Sequence, residues 1–210
     1  MSNKPSAAGR INCVLVASGL WHDIDYARLE LLKLLAQYER VKVRVFEDYE
    51  NADALAEAHF LISYTCNVVP SLAAQEALRA WVRGGGRWFA LHGTNSVIRL
   101  MADGQYGTPD WAPLYMQTLG SMFRAHPPIK PYRVEVASPD HPLVRGIEAF
   151  EATDEQYLMR AYGDLEVLLD TEFAGDAPGF VEDRWEKARH PVFYLNRQGD
   201  GAVLYLTLGH

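Results

Sequence analysis

Gly84-Gly85-Gly86-Arg87-Trp88-Phe89-Ala90-Leu91-His92-Gly93-Thr94-Asn95-Ser96 is the stretch on which the fold turns. Three glycines free the chain to leave a helix. The short apolar run after them has the composition of a buried strand, and His92-Gly93-Thr94-Asn95 breaks that strand and is expected to open the next helix. In an open parallel sheet, residues just past the carboxyl end of a strand line the crevice where ligands bind, so His92 falls where chemistry is expected. The glycines lack the Lys-Ser/Thr of a phosphate loop and precede a strand instead of a helix, which argues against a nucleotide cofactor.

The flanking sequence repeats the same alternation. Ile11 to Ala17 is a continuous apolar run, the pattern of a strand covered on both faces. Tyr26, Leu29, Leu32, Leu35 and Ala36 follow at helical spacing behind Asp23 or Asp25 as N-cap. Val41 to Phe46 alternates as a wetter, outer strand, Phe60 to Tyr64 is a third strand, and Ser71 caps a helix that runs to about Val82. Strand and helix alternating in this way predict an α/β fold with a doubly wound, mostly parallel sheet. From Ile98 to Pro131 glycines and prolines interrupt every period, and the segment 98–131 is expected to be a loop-rich lid. Tyr132–Ala137, Leu165–Leu169, Val192–Leu195 and Ala202–Leu206 are further strands, the last two joined by a hairpin-like turn, so the second half is expected to be mixed or antiparallel.

The 210 residues suit one domain, with residues 1–10 as a flexible polar N-terminus. A net charge of -7 argues against nucleic acid as a partner. No apolar run approaches a membrane span and Met1 to Arg10 is no secretory signal, so cytoplasm is the expected compartment. Cys13 and Cys66 have no framework spacing, and no disulfide is expected. Trp81, Trp88 and Trp185 allow a homodimer without requiring one.

Strand order also sorts the histidines. His22, His92 and His210 follow strands and belong to the ligand edge, whereas His59 and His190 precede strands and are expected on the opposite edge. His126 lies in the insertion and could fold over the crevice, and Asp140-His141-Pro142 has the composition of a turn. Trp21, Tyr106, Trp111, Tyr115 and Phe123 are expected in loops above the crevice, where aromatic faces could stack on sugar rings or simply pack the lid.

The ordered set of His22, Leu91-His92-Gly93, Gly120-Ser121-Met122-Phe123 with His126, Asp140-His141-Pro142-Leu143-Val144, Asp154-Glu155-Gln156-Tyr157 and Leu208-Gly209-His210 resembles the trehalose-utilisation, or ThuA-like, family. The elbow at His92 also resembles the nucleophile elbow of class I glutamine amidotransferase-like proteins, but no cysteine stands between Ala90 and Ser96, so glutaminase activity is not expected. The resemblance implies a flavodoxin-like, amidotransferase-like fold, a role in disaccharide or keto-sugar catabolism, and a metal held by histidines. Adjacent side chains point in different directions, so one of Asp154 and Glu155 is expected to enter the site, and the resemblance favours Glu155. Neutral imidazoles with a carboxylate suit a divalent ion, zinc first. The expected roles are therefore His92, Glu155 and His126 in catalysis, His22, His92 and His210 on the metal, and Trp21, Asn95, Phe123 and Tyr157 around a small carbohydrate. A non-catalytic carbohydrate-binding protein is the alternative, since fold does not dictate function.

Overall fold

The computed structural model of the protein describes residues 9–210, and residues 1–8 of the expected flexible N-terminus lie outside the described residues. The first half alternates as the sequence predicts: β1 (Ile11–Gly19), α1 (Ile24–Ala36), β2 (Val41–Phe46), a short α2 (Ala52–Ala56), β3 (Phe60–Cys66), α3 (Leu72–Arg83) and β4 (Arg87–Leu91). The Asp23 side chain accepts from Tyr26 N and caps α1, the Ser71 side chain accepts from Ala74 N and caps α3, and Gly84 ends α3. Along β1, Cys13 and Leu15 join Leu35 of α1 on one face, while Val14 and Val16 face the core shared with α2 and α3. Helices therefore cover both faces of the parallel strands.

The remaining elements are β5 (Arg99–Leu100), β6 (Tyr106–Gly107), α4 (Pro113–Leu119), β7 (Ser121–Ala125), β8 (Lys130–Val136), β9 (Phe150–Asp154), β10 (Leu158–Ala161), β11 (Glu166–Asp176), β12 (Arg184–Gln198) and β13 (Gly201–Leu206). Among the described residues nine strands form one sheet, in the order β2-β1-β3-β4-β13-β12-β11-β8-β9. The last strand, β13, inserts parallel beside β4, with Leu206 opposite Leu91. From β13 onward every neighbour is antiparallel, so the sheet is parallel on one side of β13 and antiparallel on the other, in keeping with the mixed or antiparallel second half expected from the sequence.

Two local expectations are corrected. His92–Asn95 makes a single 3-10 turn and opens no α-helix, because the Thr94 hydroxyl donates back to Leu91 O at 2.7 Å and the chain leaves extended at Ser96. The segment 98–131 is not a lid throughout. Pro113 stands at the start of α4, where its fixed φ is suited, and left-handed Gly120 (φ 93) ends it. Proline and glycine here bound a helix where their frequency predicts a loop. Tyr115 on α4 is fully buried, donating to Thr94 O at 2.8 Å, so this part of the insertion is core and only the stretch around β5 and β6 lies outside it.

Tyr115→Ala is accordingly expected to cost about 3–5 kcal/mol, the range for removing a large buried ring. Trp111→Ala, at an exposed position, is expected to cost less than about 1 kcal/mol. Urea unfolding of the two variants checks the division between core and flap.

Candidate functional site

The carboxyl ends of β1, β3, β4 and β13 meet at one crevice. His92, the first residue after β4, adopts a left-handed backbone (φ 44), which is uncommon for a non-glycine residue and aims the ring into the crevice. Its carbonyl accepts from the Tyr205 hydroxyl, and its Nδ1 meets the carbonyl of Thr207 just past β13. Gly93 behind it touches the end of β3: an added Cβ would sit 2.8 Å from both Cys66 Cβ and Thr65 O.

Three other segments bring their side chains to the same point. His22, from the loop after β1, lies 4.6 Å from the His92 ring and 5.2 Å from that of His210. Asp154 accepts from the backbone N–H groups of Gly209 at 2.8 Å and His210 at 3.3 Å, and Tyr64 donates to Gly209 O at 2.8 Å. Gly209 and His210 are thereby tied over the crevice. Asp154 is spent on this tie, and Glu155 points inward. One Glu155 oxygen lies 3.4 Å from His92 Nε2, and the other lies 3.3 Å from His126 Nε2 and 3.4 Å from His210 Nδ1.

The tautomers follow from the partners. A carbonyl only accepts, so His92 Nδ1 donates to Thr207 O and His126 Nδ1 donates to Pro127 O at 2.8 Å. Each ring then presents Nε2 to a carboxylate oxygen. A neutral Nε2 and a carboxylate oxygen are both lone-pair acceptors, and their approach requires a cation between them, either a proton or a metal ion. Burial pushes the Glu155 carboxyl up, but the hydrogen bond with His92 and the charges of His126, His92 and His210 outweigh it and hold it at about 2. Burial, then the neighbouring His92, lowers His22, both of whose ring nitrogens are buried without a hydrogen-bond partner among the described residues.

One ligand atom each from His22, His92, Glu155 and His210 lies within 4.8 Å of the others. Three imidazoles and a carboxylate are a donor set suited to zinc, and the orphaned nitrogens of His22 are unsatisfied without a ligand, so these residues fit a divalent ion. His126 stands outside that group, though it approaches the same Glu155 oxygen as His210.

The crevice opens into a cavity of about 200 Å³ lined by Trp21, His22, Cys66, Ile98, Tyr106, Phe123, His126, Glu155, Tyr157 and Phe180. The Tyr157 hydroxyl is 3.3 Å from His92 Nε2, and burial pushes the Cys66 thiol up to about 12, so it stays protonated. Trp21 stands half exposed at the rim with a left-handed backbone (φ 67).

The structure thus brings together His22, His92, His126, Glu155, Tyr157, Phe123, Trp21 and His210. It keeps Asn95 out: the side chain is fully buried, donating to Ser121 Oγ at 2.6 Å, because the 3-10 turn directs it into the core. Tyr115 is core, and Trp111 stacks with Arg99 outside the cavity. His59 lies at the amino edge of β3, accepting from Asn12 N. The expectation for His190 is corrected. It precedes its paired stretch of β12 in sequence, but β12 runs antiparallel to β13, so His190 lies beyond the Thr207–Val192 bond at the ligand edge, packed on Trp185. Phe180 and Ile98 were missed by sequence reasoning. Phe180 reaches the site through a backbone bridge to Tyr106, a long-range pairing that no local period signals.

Residues 13–210 match the family described as trehalose utilisation, ThuA. Among solved structures, a ThuA-like protein of Bacteroides uniformis is 19% identical, with all of this chain and 86% of that one aligned at a TM-score of 0.71. A second, from Parabacteroides merdae, is 15% identical over 96% of this chain and 80% of that one, TM-score 0.68. A protein of Salmonella typhimurium LT2 described as cytoplasmic is 13% identical over 93% and 87%, TM-score 0.56. These likenesses carry the fold. Among curated protein sequences none matches the chain significantly.

Because His22 and His190 are lowered by burial, the unfolded chain binds more protons than the native one once the pH falls below their ordinary value near 6.5. Their contribution is present above that pH and is lost below it. With metal removed by a chelator, stability to urea is expected to be higher at pH about 7.5 than at pH about 5.5, and the double variant His22→Gln, His190→Gln should show a smaller difference. An unchanged difference would assign the pH dependence to other groups.

Proposed function

The chain belongs to the trehalose-utilisation (ThuA) family, and on that premise we propose that it is an enzyme of carbohydrate catabolism acting on a disaccharide or keto-sugar in the His92–Glu155 crevice. The observation that carries this reading is the Glu155 carboxylate facing three imidazole nitrogens at 3.3 to 3.4 Å inside an aromatic-walled cavity. Such a carboxylate, surrounded by groups that can share a proton, is suited to general acid/base work. The strand order β2-β1-β3-β4 supports the flavodoxin-like reading of the parallel half, and the protein is proposed to work in the cytoplasm.

His22, His92 and His210 would hold a divalent ion, zinc first, with Glu155 in reach of the same point. When bound, that ion supplies Lewis-acid polarisation of a sugar carbonyl or hydroxyl oxygen. The protein's own residues do the rest. Tyr157, its hydroxyl beside His92 Nε2, orients a substrate oxygen over the ring. Glu155 accepts a proton from the substrate, and His126, 3.3 Å away and less buried, relays it toward the mouth. Trp21 and Phe123 flank the ring. Hydrolysis, elimination and isomerisation all use these parts. The inert Cys66 supports leaving thioester chemistry out.

After metal is stripped, zinc at about a hundredfold over its Kd is expected to stabilise the protein by about 2.7 kcal/mol at pH about 7.5 and by little at pH about 5, where free imidazoles are protonated. His92→Ala should abolish the gain and His59→Ala should leave it intact. Glu155→Gln should abolish turnover in a screen of disaccharides and their 3-keto derivatives. Equal zinc responses of the two histidine variants would indicate surface binding, and turnover surviving in Glu155→Gln would remove Glu155 from the proton path.

A further inference from the structure

Building on the metal reading above, we infer that Asp154 is a positioning residue for the ion: its carboxylate seats the Gly209–His210 backbone so that His210 can serve as a ligand, and it thereby sets metal affinity without touching the metal.

The candidate ligands are not held equally. His92 is wholly buried and fixed through Nδ1 to Thr207 O, and the Glu155 side chain is 12% exposed, whereas the His210 side chain is 38% exposed. Packing therefore holds His210 least. The sheet does little more for it. β13 ends at Leu206, and one further backbone bond follows, from Thr207 N to Val192 O at 2.9 Å. Among the described residues the backbone of Gly209 and His210 is then hydrogen-bonded by two side chains: Tyr64 donates to Gly209 O at 2.8 Å, and Asp154 accepts from Gly209 N at 2.8 Å and from His210 N at 3.3 Å. Ordering an exposed backbone costs conformational entropy at every residue, so His210 reaches its place to the extent that these bonds hold it there.

Asp154 is placed to serve both sides of the site. It ends β9, where it pairs with Lys130 of β8, and its Oδ1 also accepts from Glu155 N at 2.7 Å. One carboxylate thus spans the backbones of Glu155 and His210, yet it contributes no atom to the group of four that could hold an ion. Bonds from N–H groups to an ionised carboxylate are of the stronger kind, and partners that orient metal ligands typically govern affinity by about 10–100-fold. Asparagine separates the two duties of Asp154. Its one oxygen can still accept from Glu155 N, but its amide nitrogen then stands where Oδ2 meets Gly209 N, donor against donor.

The test is zinc titration of the metal-stripped full chain against a chromophoric chelator at pH about 7.5, where free imidazoles are neutral. Asp154→Asn and His210→Ala are each expected to weaken zinc by about 10–100-fold, and the double variant should bind within about twofold of His210→Ala alone, since the two act through one ligand. With cobalt in place of zinc, the two single variants should share a visible absorption spectrum that differs from that of the wild type, a change that loosening elsewhere in the fold would not reproduce. Near-ultraviolet circular dichroism of the metal-free variants checks the fold. Should the asparagine variant not fold, Asp154→Ser, which removes both carboxylate oxygens without setting an amide against Gly209 N, is expected to show the same loss. Zinc binding to a folded Asp154 variant as tight as to the wild type would overturn the role of Asp154 and leave the metal reading standing. So would losses that multiply in the double variant. Failure of the wild type to bind either metal would overturn both.

Discussion

Two backbone carbonyls set the chemistry of this protein. Thr207 O and Pro127 O each take the Nδ1 proton of a histidine, and the consequence is that His92 and His126 both turn Nε2 toward a single carboxylate, Glu155. Acceptors brought face to face need a positive charge between them, so the fold stores a requirement for a proton or a metal ion at this point. Thr207 is in place only because β13 inserts parallel to β4, and Pro127 because β7 ends where the chain turns toward β8.

The elbow itself is held from beneath. His92 pays for its left-handed backbone with the hydrogen bond from Tyr205, and Thr94 bonds to Leu91 O and Ser63 O. Tyr115 reaches from α4 to Thr94 O and to the Tyr49 hydroxyl at 2.9 Å, while Trp88 Nε1 donates to Ser63 Oγ at 2.8 Å. These buried polar groups satisfy one another, which is what a low-dielectric interior demands, and they hold the turn that carries His92. On the open side the tie of Asp154 to Gly209 and His210 does the corresponding work. Adjacent carboxylates are thus divided between a structural bond and the crevice.

Much of this was legible in the residues. The apolar runs at β1, β3 and β4, the caps Asp23 and Ser71 and the glycines after α3 are local signals, and they place His22 and His92 at one edge without further help. His210 follows from the same rule applied to β13. The failures share a physical cause, which is dependence on long-range pairing. His190 was sorted by sequence order, yet the direction of β12 reverses the edge to which a preceding residue belongs. α4 was hidden because Pro113 and Gly120 bound a helix with the same residues that break one. Phe180 lies in an aperiodic loop and enters the site only through its bridge to Tyr106. Asn95 has the right position in the chain, but a 3-10 turn in place of an α-helix rotates its side chain toward Ser121.

Which nitrogen of His92 and of His126 carries the proton can be read directly. Imidazole nitrogen chemical shifts of metal-free protein at pH about 7, assigned through His92→Gln and His126→Gln, distinguish the two neutral tautomers and the imidazolium. His92 and His126 are expected to carry the proton on Nδ1, alone or as part of an imidazolium paired with Glu155, with Nε2 as the atom whose shift responds to Glu155→Gln. A neutral ring protonated at Nε2 with a bare Nδ1, in either residue, would contradict the arrangement fixed by the Thr207 and Pro127 carbonyls.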